Sequence, residues 1–211
     1  MNTIDMTLYI LKGLNISVKL YIATFIFTVP ISLILAVLYT TKYKFIKKLI
    51  TLYTWVFRGT PLLLQLFFMY YGLPIINIIL TPFTASVVTF VVNYTAYLTE
   101  IFRSGIESID KGQYEASHVL GFTYYQTMKE IIIPQAVRRV LPALSNEAIT
   151  LVKDTALISA IGMAEILRNS KEIVSREFTI IPFVIATIIY LCISSLIVYI
   201  FKYFENRNKV N

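Results

Sequence analysis

Three groups of polar residues stand out in an otherwise oily chain. The first lies in "LPALSNEAITLVKDTALISAIGMA" (141–164), where Glu147, Thr150 and Asp154 recur at helical spacing and share one face. Lys153 lies about 100° around the helix from Asp154, and Ser159 and Met163 follow further along. Each charge held at mid-bilayer costs at least about 2.5–3.5 kcal/mol, so a helix with Glu147, Lys153 and Asp154 must face protein or a water-filled cavity. The second group is Thr89, Asn93, Ala96 and Glu100, spaced i, i+4, i+7 and i+11, with Tyr97 beside them. Such a stripe is either a helix–helix contact held by hydrogen bonds or one wall of a substrate path. The third is "FRGTPLLLQLFFMYYGLP", in which Gly59 and Pro61 interrupt a helix and Arg58 sits at the interruption. It reads as a plain proline kink with a snorkelling arginine, or as a broken helix of the kind that holds solutes in transporters.

These groups suit binding and passage better than covalent chemistry. No catalytic triad or carboxylate pair in a cleft is evident. The lone His118 and lone Cys192 have no partners at metal-ligand spacing. The seven glycines form no G-x4-G-K-[ST] loop, so the chain itself is predicted neither to bind nor to hydrolyse ATP.

The elements that must position these residues follow from composition. The 211 residues are 57% hydrophobic and only 15% charged, and the mean hydropathy is +0.70. That excludes an ordinary soluble domain and predicts an all-α, multi-pass membrane protein in one domain, 1–211. About 20 helical residues cross a bilayer. Five spans are predicted, near 14–39 (with a kink at Pro30), 55–80, 82–102, 141–164 and 179–201. The first is too long for a signal peptide and ends in no small-x-small cleavage site.

The net charge of +7 is read as topology rather than nucleic-acid binding, since no nucleic-acid motif appears. Lys42, Lys44, Lys47 and Lys48 follow the first span. Arg103, Lys111, Lys129, Arg138 and Arg139 lie between the third and fourth, and Lys202, Arg207 and Lys209 close the chain. The positive-inside bias puts these in the cytoplasm, with the N-terminus outside and the C-terminus inside.

The large cytoplasmic segment, 103–140, contains "YEASHVLGFTYYQTMKEIIIP". Asp110 is a predicted N-cap with Gln113 at box spacing, and Gly121 is a predicted stop, giving a helix of about 15 Å over Lys111–Leu120. Thr123 caps again with Gln126 at the box position, and the second helix is predicted to end at Pro134. The segment resembles the "EAA" loop, E-A-A-x3-G-x9-I-x-L-P, of ABC importer membrane subunits, through Glu115, Ala116, Ser117, Gly121, Ile131, Ile133 and Pro134. Ser117 replaces Ala and Ile133 replaces Leu; every spacing is kept. "FRGTPLLLQLFF", "AYLTEIFRSGI" and "LVKDTALISAIGMAEI" are similar to the polar amino acid subgroup of these permeases, the arginine/glutamine/histidine type.

The resemblance implies a type I importer permease in a bacterial inner membrane. It implies a coupling helix near Gly112–Leu120, with Glu115, Ala116, Ser117, Gly121 and Pro134 contacting a separate ATPase. It further implies two ATPase subunits that bind ATP and Mg, a second permease chain forming a homodimer or pseudo-symmetric heterodimer, and an extracytoplasmic substrate-binding protein. The expected cargo is a polar amino acid, with a lean to a basic one. Glu100, Glu147, Asp154 and Glu165 are available to face a cation, and Asn93 or Tyr97 to face the α-ammonium. Lys153, the N-terminus of a broken helix or amides near Gly162 are the expected carboxylate partners. Three alternatives remain: an importer of another solute such as glutamine, cystine or methionine; a stand-alone secondary transporter; and a non-transporting scaffold subunit.

Overall fold

The computed structural model describes residues 1–207; Lys209 and the end of the 1–211 domain lie outside the described residues. Every regular element among these residues is a helix or helical turn. Helix α1 (Thr3–Lys12) leads through Gly13 into α2 (Leu14–Thr40), which continues unbroken through Pro30. Helix α3 (Lys44–Gly59) and α4 (Leu62–Phe67) flank a sharp break, and a π-turn and a 3-10 turn carry α4 on to Ile76. Helix α5 (Pro82–Glu107) packs against α2, α3, α4 and α8 (Ile133–Asp154). A 3-10 turn, Thr155–Ile161, then leads to α9 (Ile166–Glu177) and α10 (Ile181–Arg207).

The packing is that of a protein whose solvent is lipid. The buried face of α2 is Ser17, Leu20, Thr24, Thr28, Ser32 and Ala36, while Ile22, Ile26 and Ile34 point outward. Opposite it, α5 buries Ala85, Ser86, Thr89 and Ala96. With lipid outside, large apolar residues gain nothing by turning inward, and small ones let two backbones approach. Among the described residues, three helical runs are long and apolar enough to cross a membrane: Thr3–Thr40, α5 and α10. Lys44–Gly59 and Leu62–Ile76 together qualify as a fourth, bent by 100° at the break. The predicted span 141–164 is differently built. Its helix starts two turns earlier, at Ile133, and ends at Asp154. There Thr155 Oγ1 donates to the Val152 carbonyl and a 3-10 turn takes over.

The far end of the molecule from the predicted coupling loop is fastened by α1 and α9. The Asn169 amide donates to the Tyr9 carbonyl (3.0 Å), and the Tyr9 hydroxyl to Glu172 (2.7 Å). That hydroxyl, followed by Arg168, holds the Glu172 carboxyl below the usual range. Glu165 is fully buried. It caps α9 by accepting from the Leu167 and Arg168 amides (2.7 and 2.6 Å) and also accepts from the Tyr190 hydroxyl (3.0 Å). Gly13 presses on this cap: a Cβ there would lie 2.4 Å from the Glu165 carbonyl carbon. Gly13→Val should therefore displace the cap and lower stability by about 1–3 kcal/mol, the usual cost of overpacking. A melting temperature of the purified complex equal to wild type would contradict this.

Candidate functional site

The break after α3 frees backbone carbonyls that must find donors at membrane depth. Side chains supply them. Gln65 Nε2 donates to the carbonyls of Phe57 (3.0 Å) and Thr60 (3.1 Å) and to Thr60 Oγ1 (2.8 Å). Asn93 Nδ2 donates to the Phe57 carbonyl (2.9 Å) and to Gln65 Oε1 (3.1 Å), and the Tyr97 hydroxyl to the Arg58 carbonyl (3.3 Å). The stripe on α5 is thus the brace of the broken helix. The amide hydrogens of Asn93 and the hydroxyl of Tyr97 are committed to it.

Beside the brace lies a cavity of about 390 Å³, walled by the break (Arg58, Gly59, Thr60, Pro61), by Asn93, Tyr94 and Tyr97 of α5, and by Glu147, Thr150 and Asp154 of α8. Its charges are segregated. On one wall the Arg58 guanidinium stands 5.5 Å from the centre of the Tyr97 ring. On the other, Asp154 accepts from the Tyr94 hydroxyl (2.7 Å). Glu147 makes no hydrogen bond or ion pair among the described residues. An ion that brings both signs, or a cation with a polar head, fits such a cavity electrostatically. A second cavity of about 420 Å³ shares Arg58, Tyr97 and Glu147 and continues through Glu100, Ser104, Ser108 and Arg139. It leads toward the end of α5, where the Arg139 guanidinium donates to the Ser108 carbonyl.

The structure gathers some predicted site residues and separates others. Asn93, Tyr97, Thr150 and Asp154 meet at the first cavity together with Arg58, Gly59 and Pro61. Glu100 lies in the second cavity, where it accepts from Arg103 (2.6 and 3.0 Å) and Thr54 (3.0 Å). Lys153 points outward, away from both cavities. Ser159 lies near α9, beside Arg168 and Lys171. Met163 is buried, its sulfur accepting from Ser86 Oγ at 3.7 Å. Lys153 is still in α8 but lies about 100° around it from Asp154, whereas Ser159 and Met163 leave that face because the chain turns from α-helical to 3-10 pitch after Asp154. The amides of Gly162 and Met163 are spent on the Ser159 and Ile158 carbonyls, so they are not open to a carboxylate. Glu165 is spent as a cap. Tyr94 was not singled out in the sequence; its spacing, one residue past Asn93 and three before Tyr97, was the available signal.

At the other end, the Asp110 side chain accepts from the Gly112 amide (2.7 Å) and opens α6 (Lys111–Val119). Gly121 has φ +79 and closes it: the Gly121 amide donates to the His118 carbonyl and the Phe122 amide to that of Ser117, both at 3.0 Å. This pair of bonds is a Schellman stop, which needs the left-handed residue. Thr123 and Gln126 form a reciprocal capping box for α7 (Tyr124–Gln126). The second helix does not end at Pro134. It passes through a π-turn, Thr127–Ile132, and joins α8, with Pro134 in the first turn of the new stretch, where a missing amide hydrogen is tolerated. Glu115, Ala116, Gly121 and Pro134 are exposed, whereas Ser117 is buried, with its hydroxyl on the Gln113 carbonyl (2.5 Å). Val119 and Leu120 at the tip are 86% and 74% exposed, an apolar pair bare on a polar loop. Burial beneath this tip pushes the Tyr114 hydroxyl up from its ordinary pKa.

Comparison with known proteins places this architecture. Residues 28–210 match the family model described as "Binding-protein-dependent transport system inner membrane component". The chain is 36% identical over 211 residues to the arginine transport system permease protein ArtQ of Bacillus subtilis (strain 168), covering 99% of this chain and 96% of that one. It is 38% identical over 197 residues to the L-cystine transport system permease protein TcyB of the same organism, covering 92% and 84%. It is 36% identical over 206 residues to a putative glutamine transport system permease protein, GlnP, of Rickettsia typhi (strain ATCC VR-144 / Wilmington), covering 97% and 94%. Among solved structures, the chain superposes with a TM-score of 0.88 on a chain of an amino acid ABC transporter crystallised with histidines, at 36% identity, covering 97% and 96%. The MetNI methionine ABC transporter in an inward-facing form superposes with a TM-score of 0.83 at 18% identity, covering 98% and 99%; at that identity the likeness is one of fold. The chain belongs to the family of binding-protein-dependent transport system inner membrane components. It is an all-helical permease subunit of the type I ABC importer fold, in a bacterial inner membrane.

Proposed function

We propose that the chain forms the translocation path for a basic amino acid, arginine, lysine or histidine, and passes it inward by alternating access driven by two partner ATPase subunits. One observation carries the substrate reading: Glu147, which makes no hydrogen bond or close ion pair among the described residues, and Asp154, which accepts from Tyr94, line one cavity with Arg58. The α-carboxylate is assigned to Arg58 and the cationic end to Asp154 and Glu147. A guanidinium or ammonium makes charge-assisted bonds to a carboxylate that a neutral side chain cannot match. In this reading Thr150 lines the path, Asn93 and Tyr97 brace it, and Gly59 and Pro61 set the break.

The coupling helix is α6, with Glu115, Ala116, Val119, Leu120 and Gly121 toward the ATPase. ATP and Mg belong to that partner. A second copy of this chain completes the membrane part, and an extracytoplasmic binding protein delivers the amino acid. Five crossings are assigned: α2, the bent α3–α4 pair, α5, α8 with its 3-10 turn, and α10. The N-terminus is then outside and the C-terminus cytoplasmic. The lysines after α2 and the exposed coupling segment support that sense.

The relatives named for glutamine and cystine supply the second reading, and competition separates the two. In proteoliposomes holding the complete complex, unlabelled lysine and histidine should suppress labelled arginine uptake at least about tenfold better than glutamine or cystine, the ratio for about 1.4 kcal/mol. Stronger competition by glutamine or cystine would overturn the basic-substrate reading.

A further inference from the structure

A third cavity, of about 380 Å³, opens on the outer surface between α2, α3 and α5, away from the translocation path. Its walls are almost wholly apolar: Ile31 and Leu35 of α2, Leu49, Ile50 and Tyr53 of α3, and Val91 and Val92 of α5. On α2, Tyr39 continues the row of Ile31 and Leu35 at i+4 spacing, toward the end that meets the basic loop. There the Lys47 ammonium, half-buried, stands 5.7 Å from the centre of the Tyr39 ring. Lys42, Lys44 and Lys48 are exposed around it, and no acidic residue occurs from Lys42 to Gly59. Lys47 has no carboxylate partner among the described residues, whereas nearby Arg103, on the same ring at 5.2 Å, is paired with Glu100 and Glu107.

An oily groove that ends in unneutralised lysines is matched by a molecule with an apolar tail and an anionic head. We propose that this groove is a site for an anionic phospholipid, with an acyl chain along Ile31, Leu35 and Val91 and the phosphate at Lys47. Unpaired basic residues at a membrane surface attract anionic headgroups, and the groove adds burial of the chain. The position has a consequence. Apart from apolar packing, α3 is fastened to α5 through the Tyr53 hydroxyl on the Val92 carbonyl (2.5 Å), through Thr54 on Glu100 (3.0 Å) and, at the break, through Asn93 and Tyr97 on the Phe57 and Arg58 carbonyls. At its far end it carries Arg58 and Gly59 of the translocation path. A lipid wedged between α2, α3 and α5 braces the helix that presents Arg58.

The test uses the whole permease–ATPase complex, purified in mild detergent and reconstituted in nanodiscs of phosphatidylcholine alone or with 30% phosphatidylglycerol, the fraction being a choice of probe. A photoactivatable phosphatidylglycerol should label α3 near Tyr53, and labelling should fall at least fivefold in Lys47→Ala and in Val91→Trp, which fills the groove. A photoactivatable phosphatidylcholine should label the same stretch at least fivefold less. Equal labelling by both lipids, or phosphatidylglycerol labelling unchanged by either variant, would overturn the proposal. So would a Leu35→Cys, Cys192→Ser variant that crosslinks to a second copy in place of lipid labelling, because the groove would then be a subunit interface. Val91→Trp can perturb folding, so Lys47→Ala, at a half-exposed side chain, carries the decision if the former aggregates.

Discussion

Arginine uptake by the reconstituted complex should fall about 10- to 100-fold when Asp154 is changed to Asn, and by a comparable factor in Glu147→Gln, the range spanned by loss of one charge-assisted bond of about 1.5–3 kcal/mol. Both substitutions keep size, remove the charge and turn one acceptor oxygen into an amide donor. The two carboxylates share one cavity, so the double variant should lose less than the product of the single losses. Tyr94→Phe, which takes away the hydroxyl on Asp154, should weaken uptake less than either, because the charge remains. The fall must appear in apparent affinity for the basic amino acid while the melting temperature of the complex stays near wild type. Unchanged uptake and affinity in both Asp154→Asn and Glu147→Gln would remove these residues from the site.

The second large effect is expected at the opposite end. Gly121→Val puts a β-branched residue at φ +79, where a left-handed conformation costs an L side chain about 1–2 kcal/mol. Apart from its immediate chain neighbours, no heavy atom of the described residues lies within 4 Å of the new Cβ, so the subunit has room for it. The strain falls on the Schellman stop that sets the exposed pair Val119 and Leu120. Substrate-stimulated ATP hydrolysis by the complex should drop about tenfold or more, since about 1.4 kcal/mol lost from docking is a factor of ten. The membrane helices should remain folded by circular dichroism. Stimulated hydrolysis at the wild-type level would show that this turn does not shape the contact with the ATPase. Val119→Ser with Leu120→Ser tests the contact itself, leaves the Schellman stop intact, and should have the same direction of effect.

Local chemistry makes much of this architecture readable in the sequence alone. Gly59 and Pro61 mark a break that the structure places at Thr60, and Asp110, Gly121, Thr123 and Gln126 mark caps that form. The polar faces of two helices were legible because a 3.6-residue period repeats over three turns. Other features turned on tertiary partners. Glu165 and Glu147 are both carboxylates in apolar surroundings. Only the fold shows that Glu165 is used up on a helix terminus while Glu147 makes no hydrogen bond or close ion pair among the described residues. Glu100 carried a local signal, since Arg103 stands one turn away at pairing distance. Ser159 and Met163 fall off the α8 face because the pitch changes after Asp154, whereas Lys153 is turned away by its own position on the helix, about 100° around from Asp154. Pro134 behaved as a helix start rather than a stop, because the π-turn before it resets the hydrogen-bond ladder. The short helix α1 gave no span-length signal and acquires its role from Glu172 and Asn169, more than 150 residues away.

In the proposed function, the chain moves its substrate with energy released in another subunit. Accumulation of labelled arginine in proteoliposomes measures that directly, with the binding protein outside and either ATP inside or an imposed ion gradient without nucleotide. The account predicts accumulation with ATP that requires the partner ATPase and disappears when that partner is omitted. Accumulation driven by the ion gradient in vesicles holding this chain alone would contradict it.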